Sequence, residues 1–169
     1  MKRQGLLNLP NALTLSRILF APLFVYTLSQ GKPITAFILM LIAWTTDADG
    51  WVARKLHQET DFGRYFDYIA DTIFASVSLL ASSYYHYVPI WYVIFISTLF
   101  LLKWSGIWLQ TYKKYRGNLW TKCSMHAISI YLAFTLLQHP FAPTLLWISL
   151  VYYGIISLNT FAQGISSRR

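Results

Sequence analysis

Apolar residues in this chain come in long blocks, not in the alternation of a half-buried strand or the one-sided stripe of a surface helix. Six blocks approach the roughly 20 residues that a helix needs to cross a bilayer core. They run over about 11–30, 34–54, 65–85, 88–111, 122–139 and 143–164. The pattern predicts an all-α, polytopic membrane protein of six transmembrane helices. Short connections marked by Gly31 with Pro33, Pro89, Gly117 with Asn118, and Pro140 with Pro143 leave no room for a second domain. Residues 1–169 are therefore read as one six-helix membrane domain.

Composition supports the same class. Of 169 residues, 56% are hydrophobic and 12% charged, about half the charged share of an average soluble domain. Basic residues then orient the spans. Lys2 and Arg3 precede the first span, Arg54, Lys55 and Arg64 surround the second connection, and Lys113, Lys114, Arg116 and Lys122 fill the fourth. Arg168 and Arg169 follow the sixth, while the opposite connections hold one lysine, Lys32. The positive-inside rule places both termini at the cytoplasmic face. The net charge of +8 is thereby explained without a nucleic-acid partner, and it suits anionic membrane lipids. No cleavable leader is expected, because Pro10, Arg17 and Pro22 interrupt the first apolar run. Cys123 stands alone and forms no internal disulfide, and His57, His86, His126 and His139 lack ligand spacing. Tyr84, Tyr85, Tyr87 and Trp91 read as an interfacial aromatic belt, and small residues from Ala70 to Ser83 as a helix-packing face.

All the carboxylate side chains fall within residues 45–72: Asp47, Asp49, Glu59, Asp61, Asp67 and Asp71. Asp49 lies about one turn inside the cytoplasmic end of the second span. Asp67 and Asp71 occupy the first turns of the third, and their i, i+4 spacing sets them on one side of the helix. An ionised carboxylate at such a depth needs a partner, at a cost of about 2.5–3.5 kcal/mol at mid-bilayer and less toward the interface. Two partners are conceivable. Arg54 and Arg64 would make these structural helix-end pairs, whereas a cluster of hard oxygen donors suits a divalent cation that also grips substrate phosphates. A cation transporter would instead spread its acids over several spans near mid-bilayer.

The spacing Asp49-Gly50-x-x-Ala53-Arg54, eight residues, then Gly63-x-x-x-Asp67-x-x-x-Asp71 resembles the signature of the CDP-alcohol phosphotransferases. Six spans and the opening "NLPNALTLSRI" are similar to the phosphatidylglycerophosphate and cardiolipin synthase branch of that family. The resemblance implies transfer of a phosphatidyl group from CDP-diacylglycerol to an alcohol such as glycerol 3-phosphate, with release of CMP, in phospholipid biosynthesis. It implies Mg²⁺ or Mn²⁺ held by Asp49, Asp67 and Asp71, with Asp71 also the general base toward the acceptor hydroxyl. It assigns Gly50, Ala53, Arg54 and Gly63 to CDP, an active site at the cytoplasmic face, and a homodimer.

Two departures bear on this expectation. The first signature aspartate should stand at position 46, which is Thr46, while Asp47 lies one residue on. On a regular helix Thr46 is about 60° from Asp49 and Asp47 about 160°. Either Thr46 with water fills the fourth metal position or a bulged turn brings Asp47 to it. The alternative is a catalytically impaired homologue that keeps the fold and binds nucleotide or a partner. The branch also carries an Arg-Glu pair in its fourth span, where this chain has Lys103 in "LFLLKWSGIW". Lys103 and Lys122, with Arg17, are read as ligands for an acceptor phosphate. The competing roles are snorkelling or pairing for Lys103 and a positive-inside anchor for Lys122.

Overall fold

The computed structural model describes residues 9–45, 61–109 and 119–166, all-helical apart from short turns. Six helices are seen among them: α1 (Leu9–Ser29), α2 (Pro33–Thr45), α3 (Asp61–Tyr84), α4 (Ile90–Leu109), α5 (Leu119–Leu136) and α6 (Ala142–Ser166). α4 and α6 are long and apolar enough to cross a membrane, and α1, α2 and α5 contain shorter apolar stretches. The chain divides into two compact units, Met1–Ala81 and Ser82–Arg169.

Three tight turns share one device. α1 ends where the Gly31 amide bonds to the Leu28 carbonyl at 2.9 Å and the Lys32 amide to Thr27 at 3.0 Å, with Gly31 left-handed at φ 66°. That is a Schellman cap, and Pro33 follows at the first position of α2, where its missing N–H costs nothing. The same paired bonds close α3, from His86 to Ser83 and Tyr87 to Ser82. They close α5 as well, from Gln138 to Thr135 and His139 to Phe134. Here the left-handed residues are His86 (φ 63°) and Gln138 (φ 52°), which accept a steric cost that glycine avoids.

In the first unit small residues are buried beside a few large ones, and much of the remaining apolar bulk faces outward. α2 buries Ala36, Met40 and Ala43, while Ile34, Ile38, Leu41 and Ile42 are exposed. An exterior of this kind suits lipid, where close packing of small side chains holds helices together. Phe24 of α1 meets Phe74 of α3 edge to face, with centroids 6.1 Å apart. Helix hydroxyls turn back on their own carbonyls, as in Thr27 to Phe24 and Thr72 to Tyr68, each at 2.8 Å. Their polarity is thus met within one helix.

The second unit packs α4 and α5 against α6. α4 and α6 cross closely at two glycines. A Cβ on Gly106 would lie 2.7 Å from the Phe161 backbone, and one on Gly164 would lie 2.6 Å from the Gly106 carbonyl oxygen. No other residue fits either position without parting the helices. Farther along the same pair, the Tyr92 and Ser149 hydroxyls bond at 2.7 Å, and the Tyr92 ring packs on Tyr131 of α5 at 4.7 Å.

Candidate functional site

In α3 the i, i+4 register brings Asp67 and Asp71 to one side, as their spacing requires. Arg17 of α1 meets them there. Its Nη1 donates to Asp67 Oδ1 at 2.9 Å and also to Asp71 Oδ1. One guanidinium nitrogen thus bridges two carboxylates one helical turn apart. Only 3% of the Arg17 side chain is exposed, against 25% and 29% for Asp67 and Asp71. The charge is therefore graded: a buried cation at the back, two carboxylates opening outward in front. These three side chains carry a formal −1, so they form an anionic, oxygen-lined site even with the guanidinium in place.

Among the described residues the cation on this pair is Arg17, in addition to the Arg54 and Arg64 weighed from the sequence. Arg54 and the side chain of Arg64 lie outside the described residues, and the observed partner comes from another helix. The sequence reading groups Arg17 with Lys103 and Lys122 as ligands for an acceptor phosphate. Arg17 in fact sits two turns inside α1, 2% exposed. A lone arginine in an apolar helix was the available signal, since such a charge requires a partner.

Other expected site residues divide by location. Thr46, Asp47, Asp49, Gly50, Ala53 and Arg54 lie outside the described residues. Gly63 falls in the first turn of α3 and Lys122 in the first turn of α5, with their side-chain surroundings likewise outside the description. Among the described residues no group of three or more His, Cys, Asp or Glu side chains assembles. Asp67 and Asp71 are the described pair.

Lys103 belongs to the second unit and is fully buried in α4. Its Nζ lies 5.2 Å from the centroid of the Tyr153 ring of α6, within cation–π range. Tyr153 is itself fully buried and meets Phe100 edge to face at 5.1 Å. Gly106 stands about one turn beyond Lys103, so the close crossing and the cation–π contact join the same two helices. Sequence reasoning did not reach Tyr153, because a tyrosine in an aromatic-rich chain carries no mark of its partner.

Comparison with known proteins extends this geometry. Residues 7–155 match the model of the CDP-alcohol phosphatidyltransferase family. A CDP-diacylglycerol–glycerol-3-phosphate 3-phosphatidyltransferase of Bacillus subtilis is 31% identical over 176 aligned positions, covering 89% of this chain and 91% of the relative. The enzyme of the same name from Aquifex aeolicus is 36% identical over 80 positions, 47% of this chain and 45% of its own. That of Escherichia coli K12 is 34% identical over 84 positions, 47% and 46% respectively. The matched family region contains Arg17, Asp67 and Asp71, and also Lys103 and Tyr153.

Proposed function

The chain belongs to the CDP-alcohol phosphatidyltransferase family, and from that premise we propose that it transfers a phosphatidyl group from CDP-diacylglycerol to glycerol 3-phosphate. The observation that carries this reading is the Asp67–Asp71 pair, one turn apart, partly open and anionic, within the region that matches the family. The acceptor is named from the relatives, which are glycerol-3-phosphate phosphatidyltransferases.

In the reaction the acceptor hydroxyl oxygen forms a bond to the phosphatidyl phosphorus, and the bond from that phosphorus to the CMP oxygen breaks. Asp71 takes the hydroxyl proton, and CMP leaves with the bonding electron pair. Asp49, Asp67 and Asp71, with Thr46 or Asp47, are the residues that would hold Mg²⁺ or Mn²⁺. Hard carboxylate oxygens at one-turn spacing and a net negative charge fit such an ion. When bound, the cation would offset the pyrophosphate charge and the charge developing on CMP. Gly50 and Gly63 let the nucleotide approach the backbone, and Ala53 and Arg54 complete the CDP contacts. Lys103, Lys122 and Arg17 are each assigned as a ligand for acceptor phosphate on the strength of their charge and the family resemblance.

The donor keeps its acyl chains in the bilayer while CDP is water-soluble, so the reaction belongs at a membrane surface. We place six spans in the membrane, both termini and the active site at the cytoplasmic face, and residues 1–169 in one domain. The basic connections and the family match through both compact units support that arrangement. A homodimer surrounded by membrane lipids is the assembly that we assign from the family resemblance.

The test is to incubate purified protein with CDP-diacylglycerol, Mg²⁺ or Mn²⁺, and glycerol 3-phosphate, inositol phosphate or serine, and to measure CMP. Release is expected with glycerol 3-phosphate. Release only with another alcohol would replace the acceptor, and none from folded protein would favour a nucleotide-binding homologue without turnover.

A further inference from the structure

A buried guanidinium must keep an anionic partner in every state of its site, because an unpaired charge in an apolar interior is costly. Arg17 meets that need through Nη1, whose two hydrogens go to Oδ1 of Asp67 and Oδ1 of Asp71. Those oxygens belong to the two carboxylates required by the metal reading. A divalent cation and a guanidinium cannot share the space between them, since like charges at that distance repel. Arg17 is only 2% exposed, so on leaving the pair it reaches another anion rather than bulk water. The guanidinium fork suits phosphate oxygens as well as carboxylates, and phosphate is what the substrates bring.

We propose that Arg17 is an exchangeable counter-ion: it closes the Asp67–Asp71 pair when the metal is absent and turns to a substrate phosphate when the metal is bound. The inference rests on the metal reading above and adds a coupling to it. Phosphate draws Arg17 off the carboxylates and so eases metal entry, and metal entry frees Arg17 for phosphate. Linkage makes the two effects equal. Before either ligand arrives, the guanidinium offsets part of the repulsion between the two carboxylates.

The test measures Mn²⁺ binding by electron paramagnetic resonance on the full chain in detergent. Each titration is run with no addition, with CDP and with glycerol 3-phosphate. Removing the competitor in Arg17→Met should tighten Mn²⁺ alone by about 10-fold, a typical coupling between sites. The same variant should lose part of the tightening that the phosphate compound gives wild type. The loss is expected in the glycerol 3-phosphate arm, as the acceptor reading requires, and a loss confined to the CDP arm would move Arg17 to the donor phosphate. Arg17→Lys guards against a misfolded methionine variant: a lysine ammonium lacks the guanidinium fork, so it should hold the pair less firmly and also tighten Mn²⁺ alone. Mn²⁺ affinity that is unchanged or weaker in the folded variants overturns the inference while leaving the metal reading intact. Wild type that binds no Mn²⁺ even with CDP overturns both.

Discussion

Arg17 on α1 and Lys103 on α4 are both shut away from the exterior, but they are held differently. Arg17 ends on two carboxylates whose side chains are a quarter or more exposed, so its partners lie on the boundary of the protein. Lys103 lies over the ring of Tyr153, which is buried with it between helices that touch at Gly106 and Gly164. The first arrangement depends on the i, i+4 register of one helix and one cross-helix charge. The second depends on how near two helices come. Charge is therefore the vulnerable quantity at the first and backbone spacing at the second, and substitutions can separate the two.

The largest effect should come from the carboxylates. Asp71→Asn should lower turnover by about 10²–10⁴-fold, the usual share of a general base, while retaining CDP binding better than Asp49→Asn does. Equilibrium binding of CDP alongside turnover checks this, and equal loss of binding in both would merge the two roles. At the second region Gly106→Ala should part α4 from α6 and cost about 1–3 kcal/mol of stability. Thermal unfolding in detergent reads that loss, with CDP binding by the folded fraction unchanged.

Lys103→Met removes the charge but keeps length and apolar contact. If Lys103 binds the acceptor phosphate, the acceptor KM should rise by roughly 10-fold or more, consistent with ~1.5–3 kcal/mol for a charged hydrogen bond. The KM for CDP-diacylglycerol should stay put, and an unmoved acceptor KM would return Lys103 to a packing role over Tyr153. The smallest effects concern the displaced aspartate. Asp47→Ala should change metal affinity little and Thr46→Asp should strengthen it, as calorimetric titration with Mn²⁺ would show. Severe loss in Asp47→Ala would mean that a bulged turn presents Asp47 instead.

Helices were legible because bilayer-length apolar runs are distinctive, and described helix ends fall within a few residues of the expected spans where both can be compared. The α1–α2 turn was legible too, since Gly31 and Pro33 each have a backbone reason to be there. His86 and Gln138 were not, because neither residue type advertises a left-handed backbone. The Asp67–Asp71 face followed from spacing, but its partner Arg17 stands 50 and 54 residues away. Periodicity tells which residues share a face and not which helix that face meets. For the same reason Lys103 stands out in the sequence as a charge within an apolar run, while Tyr153 and the glycine crossing of the same two helices do not.

Transfer of radiolabelled glycerol 3-phosphate into extractable lipid tests most directly whether the α3 carboxylate pair is the reaction centre. Wild type supplied with CDP-diacylglycerol and Mg²⁺ should label lipid, a chelator should stop it, and Asp67→Asn should label it far more slowly. Labelling by folded Asp67→Asn at the wild-type rate would place the chemistry elsewhere in the chain.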